Sequence, residues 1–250
     1  TLKTLREEHD KPLFIMTLSI TNHPPYRLPK HVEVQQIPLP EEILKRFPYE
    51  NTSTIFATFR YANDELGKFI DSVKKDSSLA SKTFIAATGD HNLRGIGYTE
   101  HPDELVFGHE VPFYLYMPKE YIRNTNVSFD SDRLGSQKDI ITTIAYHALP
   151  DAQFYSFGCD LLSNRKCNFP FAYNQNAVIS YGKNYACSVY TSKIAYAYKF
   201  TGQDHMIVEK TSRDFNCSRE MAMKGINEKL YYLQANLPKD FDYSQTFRIE

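Results

Sequence analysis

Apolar residues in the first third of the chain form a short run, a helical pattern and a second short run. Residues 13–19 (LFIMTLS) predict a central β-strand that ends just before Pro24 and Pro25. Residues 61–75 predict an amphipathic helix, and residues 83–88 predict a second buried strand. The apolar face of the helix consists of Leu66, Phe69, Ile70 and Val73. Strand, helix and strand in this order predict a βαβ unit and a parallel sheet.

The second half of the chain changes from mixed elements to alternating patterns. Residues 111–118 predict another strand, and residues 137–149 predict a helix that turns Ile140, Ile141, Ile144 and Leu149 towards the core. Beyond Pro150, apolar and polar side chains alternate in four segments, which predicts a small antiparallel meander. These segments are residues 176–181, 185–191, 194–200 and 205–211. A last helix is predicted for about residues 219–235, with Ser218 as its N-cap.

Composition excludes some classes of function. The 250 residues carry a formal net charge of −1, so no basic excess favours nucleic-acid binding. No apolar run is long enough to span a membrane. The chain begins with charged, amphipathic residues rather than with Met or a signal peptide, so we expect it to be a piece of a longer protein. The four cysteines are free thiols or form up to two disulfides, with three pairings open: Cys159, Cys167, Cys187 and Cys217.

The most informative chemistry lies directly after the predicted strand at 83–88. Asp90 and His91 stand side by side there, and ligands in open α/β sheets bind beyond the carboxyl ends of the strands. Asp offers a hard oxygen and His a borderline nitrogen, a mixture that suits Zn²⁺ or Mn²⁺. His23 follows the strand at 13–19, so we expect it to emerge from the same sheet edge. Two adjacent donors do not complete a metal site, so other ligands are needed.

Five blocks of sequence, in order, resemble a known family. Residues 14–26 (FIMTLSITNHPPY) resemble the SNHxPY block of the lipoteichoic-acid-synthase-like branch of the sulfatases, in the alkaline phosphatase superfamily. Residues 61–69 (YANDELGKF) resemble the YxDxxLGxF helix of that family, and residues 88–92 (TGDHN) resemble its GDHN metal motif. The later blocks are VPF at 111–113 with GSQKDI at 135–140, and FGCDLLS at 157–163.

The resemblance implies a three-layer α/β/α domain with a mostly parallel sheet, followed by a small antiparallel C-terminal subdomain. Residues 1–165 would be the C-terminal portion of the catalytic domain, and residues 166–250 the meander and terminal helix that complete it. It also implies an extracytoplasmic, membrane-anchored bacterial enzyme, in the periplasm or on the outer face of the cytoplasmic membrane. Such enzymes transfer or hydrolyse phospho- or sulfo-esters of envelope lipid head groups or glycans, with phosphoglycerol or phosphoethanolamine transfer favoured.

The resemblance also assigns roles to individual residues. Asp90 and His91 match metal ligands, with Mn²⁺, Zn²⁺ or Ca²⁺ as the metal. His23 matches a histidine that contacts the phosphate or the leaving group, and His109 and Arg94 are candidate substrate-binding residues. The nucleophile of the family lies upstream of the SNHxPY block, so we expect no catalytic residue in this chain and no activity from it alone. An exposed sheet edge could pair two copies of the chain.

A second class of function stays open at this point. The tyrosine-rich strands of the predicted meander could form a non-catalytic module that binds envelope polyanions or sugars. That reading predicts glycan binding without metal, unaffected by Asp90→Ala, whereas the enzyme reading predicts that this change abolishes activity of the longer protein.

Overall fold

The computed structural model describes most of the first 165 residues and the strands that follow them. The described residues are 12–33, 37–93, 107–131, 133–149, 158–165, 171–173, 177–181, 185–190, 195–201 and 207–211, with positions 4, 154, 156 and 167. The chain divides into two compact units. The first comprises residues 1–87, 94–97 and 114–124, and the second comprises residues 88–93, 98–113 and 125–250.

Five helices and seven strands are described. The helices are α1 (Glu41–Arg46), α2 (Thr52–Lys75), α3 (Ser77–Ala80), α4 (Lys119–Asn124) and α5 (Gln137–Ala148). The strands are β1 (Ile85–Thr88), β2 (Phe113–Tyr116), β3 (Phe171–Tyr173), β4 (Ala177–Tyr181), β5 (Tyr185–Tyr190), β6 (Ala195–Thr201) and β7 (Ile207–Thr211). β1 pairs with β2, and β3 to β7 form a five-stranded sheet in chain order.

The antiparallel meander predicted after Pro150 is confirmed. Each of the strands β3 to β7 pairs antiparallel with the next, and β5 lies between β4 and β6 with Cys187 opposite Ser180 and Ala197. The sequence reading missed β3, which has only three residues. The helix predicted for residues 219–235 lies outside the described residues, as does Cys217.

The core of the first unit forms where α2 packs on β1. Ile70 and Val73 of α2 and Ile85 of β1 are buried together, with Leu79 and Tyr116 packed against them. The Tyr116 hydroxyl donates a hydrogen bond to the Ala80 carbonyl at 3.0 Å, so its polar end is satisfied as its ring is covered. The predicted strands at 83–88 and 111–118 are confirmed as β1 and β2.

Helix α2 is longer than its apolar pattern predicted, since it begins at Thr52 rather than near residue 61. Its first two turns contain Thr52, Thr54, Ile55 and Thr58, whose β-branched side chains lower helix propensity and hide the helical period. The buried members of this part include Ile55 and Thr58. Leu66 and Phe69, expected on the apolar face, are exposed among the described residues.

The prediction of a central strand at residues 13–19 is wrong. This segment forms no strand, and its large apolar side chains are exposed, with Phe14 68% and Met16 85% accessible. A central strand needs hydrogen-bonded neighbours on both edges, and the part of the chain that the structure describes places no strand beside it. The βαβ unit expected for residues 13–88 is therefore absent from the described structure.

Helix α5 buries a polar face rather than the predicted apolar one. Ile141 and Leu149, expected in the core, are exposed, and Ile140 and Ile144 are half-buried. The buried residues recur at helical spacing and are Asp139, Thr142, Thr143 and His147. The reason is that this face packs on Ser156 and on the irregular segment 158–162, whose polar groups need hydrogen-bond partners.

Each buried polar residue of α5 meets a partner in that segment. Asp139 Oδ1 accepts from the Cys159 backbone N–H at 2.8 Å, and Thr143 Oγ1 accepts from the Leu161 N–H at 2.9 Å. His147 Nε2 lies 3.1 Å from Asp160 Oδ1. We call residues 158–163, which contact the buried face of α5 through these bonds, the polar floor.

Cys159 and Cys167 form a disulfide, with their Cα atoms 5.5 Å apart. The sequence left the state of the four cysteines open, and the structure selects a bridge that closes a loop at the end of the polar floor. No helix of the described residues is both long and apolar enough to cross a membrane.

Candidate metal-binding loop

The loop that follows β1 is held by the segment that precedes β2. Thr88 Oγ1 donates a hydrogen bond to the Pro112 carbonyl at 2.9 Å, and Asn92 Nδ2 donates to the Glu110 carbonyl at 3.3 Å. A Cβ atom on Gly89 would lie 3.2 Å from Val111 Cγ1, so glycine permits this close approach. The motif residues at 88–92 are therefore fixed at both ends.

Asp90 and His91 place their side-chain donors next to each other. Asp90 Oδ1 accepts the His91 backbone N–H at 2.9 Å, and Asp90 Oδ2 lies 3.4 Å from His91 Nε2. Both side chains are more than half exposed. One carboxylate oxygen thus orients the loop, while the other faces solvent beside the imidazole.

The other ring nitrogen of His91 defines the useful tautomer. Nδ1 lies 2.7 Å from the Asn92 carbonyl, an acceptor, so Nδ1 holds the proton and donates to it. In a neutral ring, Nε2 is then the nitrogen without a proton, and it lies 3.4 Å from Asp90 Oδ2. These two acceptor atoms are close enough to bind one cation together.

This donor pair fits a divalent metal in chemistry and spacing. Two ligands bound to one tetrahedral ion at about 2.0–2.2 Å lie about 3.4 Å apart, as Oδ2 and Nε2 do here. A histidine that ligates through one nitrogen usually donates its other N–H to a carbonyl or carboxylate. Among the described residues, however, no group of three or more His, Cys, Asp or Glu side chains could hold a metal ion. Of the described residues, Asp90 and His91 therefore offer two candidate ligands and not a complete site.

Gln137 is a residue of this loop that sequence reasoning missed. Its Nε2 atom donates to the Gly89 carbonyl at 2.8 Å and to the Asp90 carbonyl at 2.7 Å. The sequence placed Gln137 at the start of a helix without giving it a role. The available signal was its position, since a long amide at the first residue of a helix can reach a neighbouring loop.

His23 lies in an exposed turn of the first unit. The Tyr26 N–H donates to the His23 carbonyl at 2.8 Å, and His23 Nδ1 lies 2.9 Å from the Pro24 carbonyl. The neighbouring Asn22 side chain lies 3.2 Å from the buried Thr58 hydroxyl of α2, which ties the turn to the helix. Asp90 and His91 belong to the second unit, so the expected meeting of His23 with them stays a prediction.

The remaining two candidates differ in what the structure says of them. His109 ends a 3-10 helical turn at Phe107–His109 and is half-buried, and this burial lowers the pKa of its imidazole below the ordinary value. The carbonyl of the next residue, Glu110, accepts the hydrogen bond from Asn92, so His109 is close in sequence to a contact of the loop. Arg94 lies outside the described residues.

Comparison with models of protein families shows which family the chain belongs to. A family model described as Sulfatase matches residues 1–149, more than half of the chain. The chain belongs to the sulfatase family. The sulfatase family inferred from the sequence blocks is thereby confirmed.

The fold of this sulfatase-family chain has a solved counterpart. It is similar to a protein in the alkaline phosphatase superfamily from Vibrio parahaemolyticus, with a TM-score of 0.58 and 15% sequence identity. The match covers 92% of this chain and 52% of that one, so the chain spans about half the length of its structural relative. This confirms the alkaline-phosphatase-like α/β fold class. Among curated proteins, none matches the chain significantly.

Proposed function

We propose that this chain supplies part of the metal site of an enzyme that hydrolyses or transfers phospho- or sulfo-esters. Membership of the sulfatase family supports ester chemistry of this kind, and its superfamily typically uses divalent metals. The substrate is proposed to be an anionic lipid head group or a glycan of the cell envelope. Phosphoglycerol or phosphoethanolamine transfer is favoured, on the resemblance of the TNHPPY and GDHN blocks.

The observation that supports this proposal most directly is the donor pair of Asp90 and His91. Its 3.4 Å separation and the Nδ1 contact to the Asn92 carbonyl suit one shared ion. A bound divalent metal would act as a Lewis acid towards the ester oxygens. The carboxylate and the imidazole of this chain would hold that ion, with Mn²⁺, Zn²⁺ or Ca²⁺ as candidates.

The other three candidate residues are proposed to contact the anionic substrate. A cationic or hydrogen-bond-donating imidazole at His23, or a guanidinium at Arg94, would stabilise anionic oxygens. Half-buried His109, whose pKa is lowered by burial, would act as a neutral hydrogen-bond partner near pH 7. These three roles follow from residue chemistry and the family resemblance.

The proposed location is the extracytoplasmic side of the cytoplasmic membrane. The disulfide between Cys159 and Cys167 supports it, because structural disulfides persist in oxidising compartments such as the bacterial periplasm. Segments beyond this chain would supply the membrane anchor.

The test uses the longer protein that contains this chain, assayed on a phosphodiester and on a sulfate ester with each metal. Asp90→Ala and His91→Ala are each expected to lower metal-dependent turnover at least about 100-fold, the scale for losing one charge-stabilising group. The matched control is Asp64→Ala, which removes an exposed carboxylate of α2 and leaves turnover unchanged. Turnover that persists in both loop variants would refute the proposed site.

We also propose that the 250-residue chain alone is inactive, since its described metal shell holds two ligands and the family nucleophile is expected elsewhere. Robust phosphodiester turnover by the isolated chain would contradict this. Glycan binding that needs no metal and survives Asp90→Ala would instead support a non-catalytic binding module.

A further inference from the structure

We propose that Gln137 is a positioning residue that sets the direction of the Asp90 and His91 side chains. This inference rests on the proposed function, because its measurable consequence is the affinity of those side chains for a metal. Gln137 would touch neither metal nor substrate and would act through the backbone of the loop.

The geometry is that of one amide group bridging two consecutive carbonyls. Gln137 Nε2 lies 2.8 Å from the Gly89 oxygen and 2.7 Å from the Asp90 oxygen. A primary amide nitrogen has two hydrogens, so it can donate one to each carbonyl. Both neighbours are acceptors, which identifies the bridging atom as the nitrogen rather than the oxygen of the amide.

These two carbonyls control the conformation of Asp90. The Gly89 carbonyl lies in the peptide plane before Asp90, and the Asp90 carbonyl lies in the plane after it. Because peptide units are planar, holding both carbonyls restrains the two dihedral angles of Asp90. The direction of the Asp90 side chain, and of the His91 backbone that follows, is then fixed.

The consequence is visible in the donor pair. Asp90 Oδ1 receives the His91 N–H at 2.9 Å, which leaves Oδ2 turned towards His91 Nε2 at 3.4 Å. Rotation of either peptide plane would separate these atoms. Both side chains are solvent-exposed, so surrounding side chains contribute little to holding them in register.

Gln137 is well placed for this task because its own backbone is held. It is the first residue of α5, and the Ser136 N–H before it donates to Asp139 Oδ2 at 2.8 Å. Asp139 is fully buried and accepts the Cys159 N–H through its other oxygen. The backbone from which the Gln137 amide reaches the loop is therefore held in place by bonds to the polar floor.

The test compares two substitutions of similar length in the longer protein that contains this chain. Gln137→Met removes both donors, and Gln137→Glu replaces the amide nitrogen with a carboxylate oxygen that repels the two carbonyls. The Glu variant separates two explanations, since a new negative charge near the site would tighten cation binding if only electrostatics mattered. A positioning role instead predicts that Gln137→Glu weakens cation binding.

The measured quantity is the affinity for Zn²⁺ and Mn²⁺ added alone, followed by calorimetry, with the Co²⁺ absorption spectrum as a reporter of ligand geometry. Gln137→Met is expected to weaken binding about 10-fold, the lower end of the range for residues that orient metal ligands. Gln137→Glu is expected to weaken it further, and the Co²⁺ spectrum should change in both. The thermal midpoint of the metal-free protein should stay the same, because Gln137 is exposed.

The matched control is Asn63→Leu. Asn63 also has an exposed side-chain amide that donates to a backbone carbonyl, that of Phe59 at 2.8 Å within α2. Its removal should leave metal affinity unchanged. Unchanged affinity in both Gln137 variants, or tighter binding in Gln137→Glu, would overturn the positioning role.

Asp90→Ala distinguishes this failure from a failure of the proposed function. If Asp90→Ala abolishes metal binding but the Gln137 variants do not weaken it, the positioning role alone is refuted. If Asp90→Ala leaves binding unchanged, the metal site itself is refuted, and the role of Gln137 falls with it.

Discussion

Asp139 Oδ1 and the backbone N–H of Cys159 are joined by a hydrogen bond of 2.8 Å that ties the first turn of α5 to the polar floor at residues 158–163. The same carboxylate accepts the Ser136 N–H and forms an ion pair with Lys138 at 2.6 Å. Asp139 is fully buried, and burial lowers the pKa of Lys138 although Asp139 opposes that shift. The carboxylate thus organises the N-terminus of α5 from inside the protein.

Asp139→Ala is expected to lower the free energy of unfolding by about 3–5 kcal/mol. The change leaves Lys138 without the carboxylate of its buried ion pair and leaves two backbone N–H groups without their acceptor. Asp139→Asn should cost less, since its amide oxygen can still accept one of those bonds. Urea unfolding measures both. Asp64→Ala, at an exposed ion pair of α2, should change stability by less than about 1 kcal/mol. An Asp139→Ala protein as stable as that control would contradict this account.

Two glycines should respond in opposite directions to alanine. A Cβ on Gly158 would run into the Lys138 carbonyl and the Thr142 hydroxyl of α5, so Gly158→Ala is expected to destabilise the protein by about 3 kcal/mol. Gly67 lies inside α2 with nothing near its added Cβ, so Gly67→Ala should stabilise by about 0.5–1 kcal/mol. Thermal or urea unfolding compares the pair directly. Equal effects would show that the packing of residue 158 on α5 is not as described.

The disulfide closes a short loop, with a sequence separation of 8 between Cys159 and Cys167. Its removal by Cys159→Ser with Cys167→Ser is expected to cost about 2–3 kcal/mol of stability. Peptide mapping without reductant, on protein isolated from the cells that make it, should recover these two cysteines in one linked fragment. Linkage of either to Cys187 or Cys217 would instead contradict the pairing.

His109 should make stability depend on pH on the acid side. Burial lowers the pKa of its imidazole below the ordinary value of about 6.5. Between the folded and unfolded pKa values the unfolded chain binds more protons, so stability falls as the pH drops below about 6.5 and is unaffected above it. His109→Gln should flatten this loss in urea midpoints measured from pH 7 to pH 5. Exposed His31→Gln is the control, and an unchanged slope in His109→Gln would refute the assignment.

Sequence patterns predicted the elements whose side chains follow one clear period. The second half of α2, the strands β1 and β2 and the meander β4 to β7 belong to this class, because local alternation determines which face is buried. The start of α2 was missed because threonine and isoleucine disguise its helical period. The strand prediction for residues 13–19 was wrong for a different reason. An apolar run indicates that a segment favours burial, but it does not show that neighbouring strands are available to pair with it.

The predicted site shows the same division. The adjacency of Asp90 and His91, and their place after a strand, could be predicted because both are local facts of the chain. Gln137 could not be, because it lies 47 residues from Asp90 in sequence and its role depends on which helix face packs on the polar floor. That face is polar, so a prediction based on apolar residues assigned the wrong face of the helix to the core.

The residues on which α5 packs determine where the protein can be truncated. The family match ends at residue 149, one residue beyond the end of α5, yet the bonds that hold this helix come from residues 158–162, where Cys159 is bridged to Cys167. A truncation at the family boundary would keep every residue of the loop at 88–92 and remove the residues on which α5 packs. The shortest fragment with an intact loop therefore extends at least to Cys167.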